Sequence, residues 1–270
     1  MKIAVFTRGS NSHSFIWERA FLEGLRKHGI NSDLYSYRDQ PQGIVCGVTW
    51  GIKRPELTAY LKKIGADQLV MERGYIGDRH YWTSCGYNGL NGRADFIPSH
   101  ADDGRTGPFM NTLRPYKDTR GDYVLIIGQI PNDASVAHIG FYDWLNDTIR
   151  QLTSITDRDV FYRPHPLDKN PIFPDVRVLH SDLDTAISNA HCVVTLNSNT
   201  GVDSVIAGVP VISMDKGSMV YDITDHDLSF VNDPRTFDRT VWFNRITYAQ
   251  WSMDEIRSGD AWDHLKHKYI

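Results

Sequence analysis

The chain has 270 residues, of which 41% are hydrophobic and 23% are charged, and its formal net charge is −4. These values indicate a globular protein with a buried core, built as one large domain or two smaller ones. The negative balance argues against strong nonspecific binding of nucleic acid, which depends on Lys and Arg neutralising phosphates. The negative net charge does not exclude a local basic patch.

The cysteines and the apolar segments indicate a cytoplasmic protein. Cys46, Cys85 and Cys192 stand far apart without a CxxC pair, which is typical of reduced thiols. The N-terminus has no long apolar core of a signal peptide, and no segment approaches the roughly 18 apolar residues of a membrane span. We therefore expect cytoplasmic localisation.

The first half alternates strands and helices. Residues 2–7 read as a buried strand, and a polar loop and an amphipathic helix ending at Gly29 follow. Two strands, a short helix and a fourth strand come next, over residues 32–37, 43–50, 54–66 and 67–72. Because these strands are too uniformly apolar to face water, they predict a parallel sheet covered by helices.

Residues 74–122 show no sustained periodicity and are dense in Gly, Asn, Asp and aromatic residues. So long an irregular stretch usually serves a site or crosses between domains. It is locally basic through Arg93, Arg105, Arg114, Lys117 and Arg120. Two interpretations stay open, a solvated linker and a surface for an anionic acceptor.

From Tyr123 the alternation restarts more cleanly. Strands are predicted over residues 123–129, 159–163, 176–179, 192–197 and 209–214, with helices over 140–155, 181–190 and 198–208. We predict an N-terminal Rossmann-like acceptor domain at 1–120, a C-terminal Rossmann-like domain for the donor nucleotide at 121–225, and a Trp-rich helical segment at 226–270 packing across the domain seam. Two doubly wound halves of this kind place a ligand cleft between the carboxyl ends of both sheets.

The segment RPHP, residues 163–166, follows a predicted strand. Its two prolines exclude both helix and sheet ladder, so the segment forms a fixed loop. Such a loop can present Arg163 and His165 to a phosphate at a small cost in side-chain freedom, whereas a structural histidine at a strand end is the alternative.

The segment TLNSNTGVDSVIAGVPVI, residues 195–212, is the strongest signal in the chain. An apolar strand ends in hydroxyl and amide side chains, and a helix begins near Asn199 or Thr200. Free N–H groups of a helix start and the Ser198 hydroxyl would form a phosphate site, with Gly201 allowing close approach. Asp203, in the first turn, either complements the helix dipole or accepts hydrogen bonds from ribose hydroxyls. Helix capping is the alternative for Ser198 and Asn199.

Further candidates stand at other predicted strand ends. Gln129 can bridge to a base or sugar, and the preceding Gly128 leaves room for a ligand. Glu72 ends a buried strand of the first half, where partial burial raises a carboxylate pKa toward that of a general base, and Asp78 is a second candidate. The remaining candidates are predicted to contact the acceptor: Arg8, Ser10, Arg79 and Arg93.

The RPHP segment together with residues 181–214 resembles the C-terminal half of GT-B glycosyltransferases, most of all the capsule-polysaccharide type that carries an HP motif. The resemblance implies an α/β fold with two Rossmann-like doubly wound halves facing a central cleft. It also implies that His165, Ser198, Asn199 and Thr200 bind the donor's phosphates and that Asp203, where the family usually has Glu, binds the ribose. The family's acidic base motif resembles residues 72–74.

The compact build also resembles bacteriophage enzymes that glycosylate hydroxymethylated pyrimidines of DNA, and the basic stretch favours this acceptor. The expected activity is transfer of a sugar from a nucleotide-sugar co-substrate to an acceptor hydroxyl, without a cofactor or metal. The alternatives are a polysaccharide glycosyltransferase, a polyol-phosphate transferase, a sugar-nucleotide epimerase and a nucleotide-sugar-binding protein without catalysis.

Overall fold

The computed structural model describes residues 1–97, 104–117, 121–171 and 175–270. Its strands are β1 (Lys2–Thr7), β2 (Asn31–Ser36), β3 (Cys46–Trp50), β4 (Asp67–Arg73), β5 (Trp82–Tyr87), β6 (Tyr123–Ile127), β7 (Asp159–Arg163), β8 (Arg177–Val178), β9 (Ala190–Thr195), β10 (Val211–Ser213) and β11 (Gln250–Ser252). Its helices are α1 (Phe15–Lys27), α2 (Pro55–Lys63), α3 (Phe141–Ile155), α4 (Leu183–Ser188), α5 (Thr200–Ile206), α6 (Thr240–Tyr248), α7 (Met253–Ser258) and α8 (Asp260–Leu265).

The chain divides into two compact units. The N-terminal unit comprises Met1–Arg105 and Asn244–Ile270, and the C-terminal unit comprises Thr106–Phe243. These boundaries differ from the predicted ones at residues 120 and 225. The predicted packing of the tail across a domain seam stays a prediction.

The N-terminal unit is built on a six-stranded sheet in the order β11-β5-β4-β3-β1-β2. Strands β1 to β4 pair in parallel, whereas β5 and β11 run antiparallel to their neighbours. The chain runs from β1 outward to β2 and then returns past β1 to β3. The carboxyl ends of β1 and β3 therefore form the switch point, where open α/β sheets bind ligands.

The strands β5 and β11 were not predicted. Strand β5 lies inside the stretch read as irregular: its sequence WTSCGY contains the strand formers Trp, Thr and Tyr, but Gly and Asn residues typical of loops surround it. Strand β11 has only three residues, and its neighbours have helical periodicity. Both strands are specified by pairing with distant partners, which a local pattern does not report.

The tail packs on α1 of the N-terminal unit. Gly24 of α1 lies where any side chain would collide with the Ile256 carbonyl oxygen of α7, so glycine permits the close approach of the two helices. Helix α7 begins with a capping box, in which Ser252 and Glu255 each satisfy the other's backbone N–H. The aromatic Trp262 of α8 is almost fully buried in the same core.

The C-terminal unit has a five-stranded parallel sheet in the order β10-β9-β6-β7-β8. The chain runs from β6 outward through β7 to β8 and returns on the other side of β6 to β9. This is the order of a Rossmann half, with its switch point between the carboxyl ends of β6 and β9. The amphipathic helix α3 covers the sheet through Phe141, Leu145 and Leu152.

In the part of the chain that the structure describes, every helix is too short or too polar to cross a lipid bilayer.

Candidate functional site

The RPHP loop lies against the carboxyl end of β6. The Gly128 N–H donates to the Arg163 carbonyl oxygen at 2.8 Å. A β-carbon at position 128 would lie 2.9 Å from that oxygen and 2.9 Å from the His165 nitrogen. The close approach that glycine permits here therefore serves the RPHP loop, and the room predicted for a ligand is filled by protein backbone.

The switch point between β6 and β9 is closed by a pair of amide side chains. Gln129 donates from Nε2 to Asn197 Oδ1 at 2.8 Å, and its Oε1 accepts the Asn197 backbone N–H at 3.1 Å. Both residues are buried. The Gln129 carboxamide, predicted to contact a base or sugar, instead ties the end of β6 to the segment after β9.

Asn197 extends this pair into a network. Its Nδ2 donates to the Ser135 carbonyl oxygen at 2.8 Å and to Asp215 Oδ1 at 3.1 Å. Asp215 also accepts the Gly217 N–H at 2.6 Å and pairs with His138 at 2.8 Å. The amide network thus connects the loops that follow β6, β9 and β10, and it holds the edge of the sheet in one arrangement.

The geometry of the RPHP loop fixes the tautomer of His165. Its Nδ1 accepts the Leu167 backbone N–H at 3.1 Å. Since an accepting nitrogen carries no proton, the neutral imidazole carries its proton on Nε2. The ring is partly exposed. His165 therefore offers an N–H donor at the carboxyl edge of the sheet.

Arg163 ends β7 with only part of its guanidinium engaged by protein. Its Nη2 lies 3.4 Å from the Ser181 carbonyl oxygen, whereas its buried Nε has no partner among the described residues. Buried donors are nearly always hydrogen-bonded, so an unsatisfied one calls for an explanation. That nitrogen is closed to solvent, but the residue as a whole is only partly buried, so a bound anion would contact the terminal nitrogens of the guanidinium.

The start of α5 differs from the prediction of free N–H groups. Ser198 Oγ accepts the Thr200 N–H at 3.2 Å, and the Ser198 carbonyl oxygen accepts the Gly201 N–H at 2.9 Å. Asn199 is the N-cap residue, and its carbonyl oxygen accepts the Val202 N–H. Because its oxygen acts as an acceptor, the Ser198 hydroxyl retains its proton for donation.

Gly201 is also explained by packing. A β-carbon there would lie 3.1 Å from Val220 Cγ2 and 3.6 Å from Thr195 Cγ2. Asp203 lines a separate cavity of about 330 Å³ together with Arg114, Lys117 and residues of α4. None of the residues lining that cavity belongs to the RPHP loop or to Ser198–Gly201. The structure thus brings His165, Arg163 and Ser198 to one edge but places Asp203 at another cavity.

In the N-terminal unit, Glu72 lies near the carboxyl end of β4. It is half-buried, and its Oε2 accepts the Arg73 N–H at 3.3 Å. Gly51 follows β3 with a φ of 68°. It lies close to the Glu72 carboxylate, since a β-carbon at position 51 would be 3.0 Å from Glu72 Oε1. Glu72 therefore stands at the same sheet edge as the switch point.

The other predicted residues of this unit lie on turns and at the surface. Asp78 is exposed, and its Oδ1 accepts the His80 N–H at 2.8 Å, so it stabilises the turn before β5. Ser10 is exposed in the turn after β1. Arg79 is partly exposed, and Arg93 is exposed in the short turn after β5. The sequence alone did not distinguish Asp78 as a turn residue.

A cavity of about 820 Å³ opens at the carboxyl ends of β1 and β2 beside the first turn of α2. Tyr37 forms part of its wall, and the guanidiniums of Arg8 and Arg54 lie 5.9 Å and 5.8 Å from the centre of its ring. The Tyr37 hydroxyl accepts the Trp50 N–H at 3.1 Å, which fixes the ring. Burial raises the pKa of Tyr37 to about 12, so its hydroxyl stays protonated.

Glu18 of α1 is a buried carboxyl that sequence reasoning missed. Its Oε1 accepts from the Ser14 hydroxyl at 2.8 Å. Burial raises its pKa, against the lowering effects of the Thr7 and Ser14 hydroxyls and of the charge of Arg8. Its position on the buried face of an amphipathic helix, beside Trp17 and Phe21, was the signal that could have identified it.

One arginine of the predicted basic stretch, Arg105, is engaged in contacts within the N-terminal unit. Arg105 forms an ion pair with Glu255 at 2.6 Å, and its guanidinium lies 3.8 Å from the centre of the Trp251 ring. It also donates to the Gln250 carbonyl oxygen at 3.1 Å. Arg105 is therefore not available to bind an anion, and Arg120 lies outside the described residues.

The described residues contain no group of three or more His, Cys, Asp and Glu side chains placed to hold a metal ion. The segment DHD, residues 225–227, does not form such a site: Asp225 is fully buried and pairs with Arg235 at 2.5 Å.

Comparisons with known proteins identify a structural relationship. No protein-family model and no curated protein matches the sequence. Among solved structures, the chain is similar to the β-Kdo 2,7 transferase of KpsC from Thermosulfurimonas dismutans, with a TM-score of 0.60, 16% identity, and coverage of 98% of this chain and 100% of that one. It is also similar to the β-Kdo 2,4 transferase of the same KpsC, with a TM-score of 0.59, 15% identity, and coverage of 93% and 92%.

These similarities extend over nearly the whole chain and so include both units. The predicted fold class is confirmed: the chain has the Rossmann-like α/β fold of GT-B proteins and resembles KpsC.

Proposed function

We propose that the protein is a glycosyltransferase that moves a sugar from a nucleotide-sugar donor to an acceptor hydroxyl. The observation that carries this proposal is that the RPHP loop and the segment after β9 both contact the end of β6, beside the switch point of the C-terminal unit. Ligands of open α/β sheets bind at such points. The likeness of the fold to two Kdo transferases supports sugar transfer as the reaction class.

In this proposal the donor's phosphates bind His165 and Arg163. The Nε2–H of His165 and the terminal guanidinium N–H groups of Arg163 donate to the phosphate oxygens, and the Ser198 hydroxyl is a third donor. As the glycosidic C–O bond breaks, its electron pair goes to the leaving phosphate, where the negative charge grows. Donors already oriented toward that charge lower the barrier.

Glu72 is proposed as the general base. It takes the proton of the acceptor hydroxyl while the hydroxyl oxygen forms the new bond to the anomeric carbon. Displacement in one step inverts the anomeric centre. The network of Gln129 and Asn197 positions the donor side chains without contacting the substrate.

The proposed acceptor is a saccharide rather than the hydroxymethylated DNA favoured by the sequence. The DNA hypothesis depended on the basic stretch from Arg93 to Arg120, and Arg105 of that stretch is engaged by Glu255 and Trp251. A DNA acceptor needs several free cations to neutralise phosphates.

The test combines binding with turnover. Thermal unfolding measured with UDP-, GDP-, CMP- and ADP-sugars should show one class of donor that raises the melting temperature, because a ligand that binds only the folded state stabilises it. Glu72→Gln should keep this stabilisation while kcat falls by about 100- to 10,000-fold, the usual contribution of a general base. Asp78→Asn is the matched control and should retain turnover.

Stabilisation by none of the donors would refute the donor site. Conversion of the donor sugar without any acceptor would identify an epimerase instead. Normal turnover of Glu72→Gln would exclude Glu72 as the base.

A further inference from the structure

We propose that His138 and Asp215 form a dyad that protonates the leaving phosphate of the donor. This inference rests on the proposed function, because it assigns an acid to the donor site of that reaction. His138 lies between β6 and α3, and Asp215 lies in the loop that follows β10. Both loops leave the carboxyl ends of strands of the parallel C-terminal sheet, which is the edge where such sheets bind ligands.

The Asp215 carboxylate is held in place by protein donors. Its Oδ1 accepts the Gly217 N–H at 2.6 Å and Asn197 Nδ2 at 3.1 Å, and its Oδ2 accepts from His138 Nε2 at 2.8 Å. The Asp215 side chain is 12% exposed, whereas the His138 side chain is 43% exposed. A nearly buried carboxylate thus orients an imidazole that reaches solvent, which is the arrangement of a proton-transferring residue and its orienting partner.

The hydrogen bonds decide which nitrogen of each histidine exchanges a proton. Because a carboxylate only accepts, His138 Nε2 keeps its proton, and Nδ1 is the nitrogen that gains or loses one. The Asp215 carboxylate stabilises the imidazolium that forms when Nδ1 is protonated. His165 differs, because its Nδ1 accepts the Leu167 N–H at 3.1 Å and its ring is therefore neutral. His165 is thus suited to donate a hydrogen bond, and His138 is suited to give up a proton.

The turn that contains Asp215 lies beside the proposed phosphate site. The Ser218 N–H closes this turn by donating to the Asp215 carbonyl oxygen at 3.0 Å. A β-carbon at Gly201 would lie 3.8 Å from Ser218 Oγ, so the turn packs against the start of α5. Asn197, which holds the Asp215 carboxylate, directly precedes Ser198. The dyad and the phosphate donors therefore share one edge of the sheet.

The other charged groups of the two loops are Asp133 and Lys216. Asp133 Oδ2 accepts from the Ser135 hydroxyl at 3.0 Å within its own loop. Lys216 is exposed in the turn that carries Asp215 and adds positive charge there. The nearest helix contributes Asp203, which lines the separate cavity of about 330 Å³.

The proposed step transfers one proton. As the glycosidic C–O bond breaks, its electron pair goes to the phosphate oxygen, and the proton of His138 Nδ1 moves to that oxygen. His138 becomes neutral, keeps its Nε2–H on Asp215, and regains a proton from solvent. Protonation reduces the charge that the remaining donors must stabilise, which is general acid catalysis.

The experiment measures proton uptake on binding of UDP, GDP, CMP and ADP, the leaving groups of four classes of donor. Isothermal titration calorimetry of the full chain in buffers of different ionisation enthalpy reports this uptake. Free histidine loses its proton above about pH 6.5, whereas His138 on a bound phosphate keeps it. The nucleotide that binds should therefore bring proton uptake, and its affinity should fall by up to about 10-fold for each unit of pH above about 7.

His138→Gln and Asp215→Asn should each bind the nucleotide without proton uptake and with an affinity that does not change over this pH range. In Asp215→Asn the amide oxygen stays on the Gly217 and Asn197 donors, so the amide NH₂ faces His138 Nε2. That donor excludes the imidazolium, which carries a proton on both nitrogens. His180→Gln, at an exposed histidine of the same unit, is the matched control and should keep the uptake.

The outcomes separate this proposal from the proposed function. Nucleotide binding by the wild type without proton uptake would refute the dyad and leave the donor site intact. Uptake that persists in both His138→Gln and Asp215→Asn would likewise overturn the dyad. Binding of none of the four nucleotides would refute the donor site of the proposed function, and the dyad with it.

Discussion

The two units share an architecture, yet the switch points of their sheets are built differently. In the C-terminal unit the carboxyl ends of β6 and β9 are joined by the buried amides of Gln129 and Asn197. In the N-terminal unit the carboxyl end of β1 borders a cavity of about 820 Å³ that has both arginines and carboxylates on its wall. One edge is closed by protein hydrogen bonds, and the other is open to solvent.

The same type of sheet therefore has a closed edge in one unit and an open edge in the other. A closed amide network holds loops in a fixed geometry, which suits groups that must be oriented before charge develops on a leaving group. The cavity of the N-terminal unit is not closed in this way, and exposed cations form part of its wall. The two edges therefore differ in how firmly protein hydrogen bonds hold the residues at the strand ends.

The largest expected effect lies at the oriented edge. His165→Ala should lower kcat about 100-fold or more, because a donor aimed at the leaving phosphate is lost. Steady-state kinetics with the donor found by thermal unfolding measures this effect. His267→Ala, an exposed histidine near the end of the chain, should retain full activity. Unchanged kcat in His165→Ala would contradict the proposal that the edge of the C-terminal sheet orients donors toward the leaving phosphate.

A smaller effect is expected from opening the amide network. Asn197→Ala leaves the buried Gln129 Nε2 without its acceptor, whereas the backbone N–H of residue 197 still donates to Gln129 Oε1, so the loss costs about 1–3 kcal/mol in the free energy of unfolding. Urea denaturation measures the loss. Asn189→Ala, at an exposed asparagine that follows α4 in the same unit, should cost less. Equal costs for the two variants would show that the network does not stabilise this edge.

The smallest effect concerns Glu18, which lies under the loop after β1. Burial raises the pKa of its carboxyl, so the folded state favours the neutral form. Its contribution to stability is therefore complete below the ordinary pKa of 4.5 and is lost as the pH rises through the raised value. The wild type should lose stability relative to Glu18→Gln as the pH rises toward 7.

The expected difference is on the order of 1 kcal/mol, the usual size of a single substitution. Thermal unfolding of both proteins across this pH range measures it, and Glu23→Gln on the exposed face of α1 is the control. A constant difference between wild type and Glu18→Gln at every pH would show that Glu18 does not titrate in this range.

The sequence by itself determined the alternation of strands and helices and the residues at the strand ends. The apolar centres of strands such as β4 and β9, and the periodicity of the amphipathic helices α1 and α3, indicate directly which residues are buried. The prolines of RPHP and the polar run after β9 identified the edge where Arg163, His165 and Ser198 lie. These features depend on residues that are close together in the sequence, so the sequence alone reports them.

Only the tertiary structure decided which side chains meet there. The pairing of Gln129 with Asn197 joins residues 68 positions apart, and the convergence of Arg8, Tyr37 and Arg54 depends on three separate segments. Strands β5 and β11 exist because distant strands supply their hydrogen bonds, and Asp203 lines a cavity that it shares with Arg114, Lys117 and residues of α4. Contacts of long sequence separation are products of packing, and no local pattern of residues encodes them.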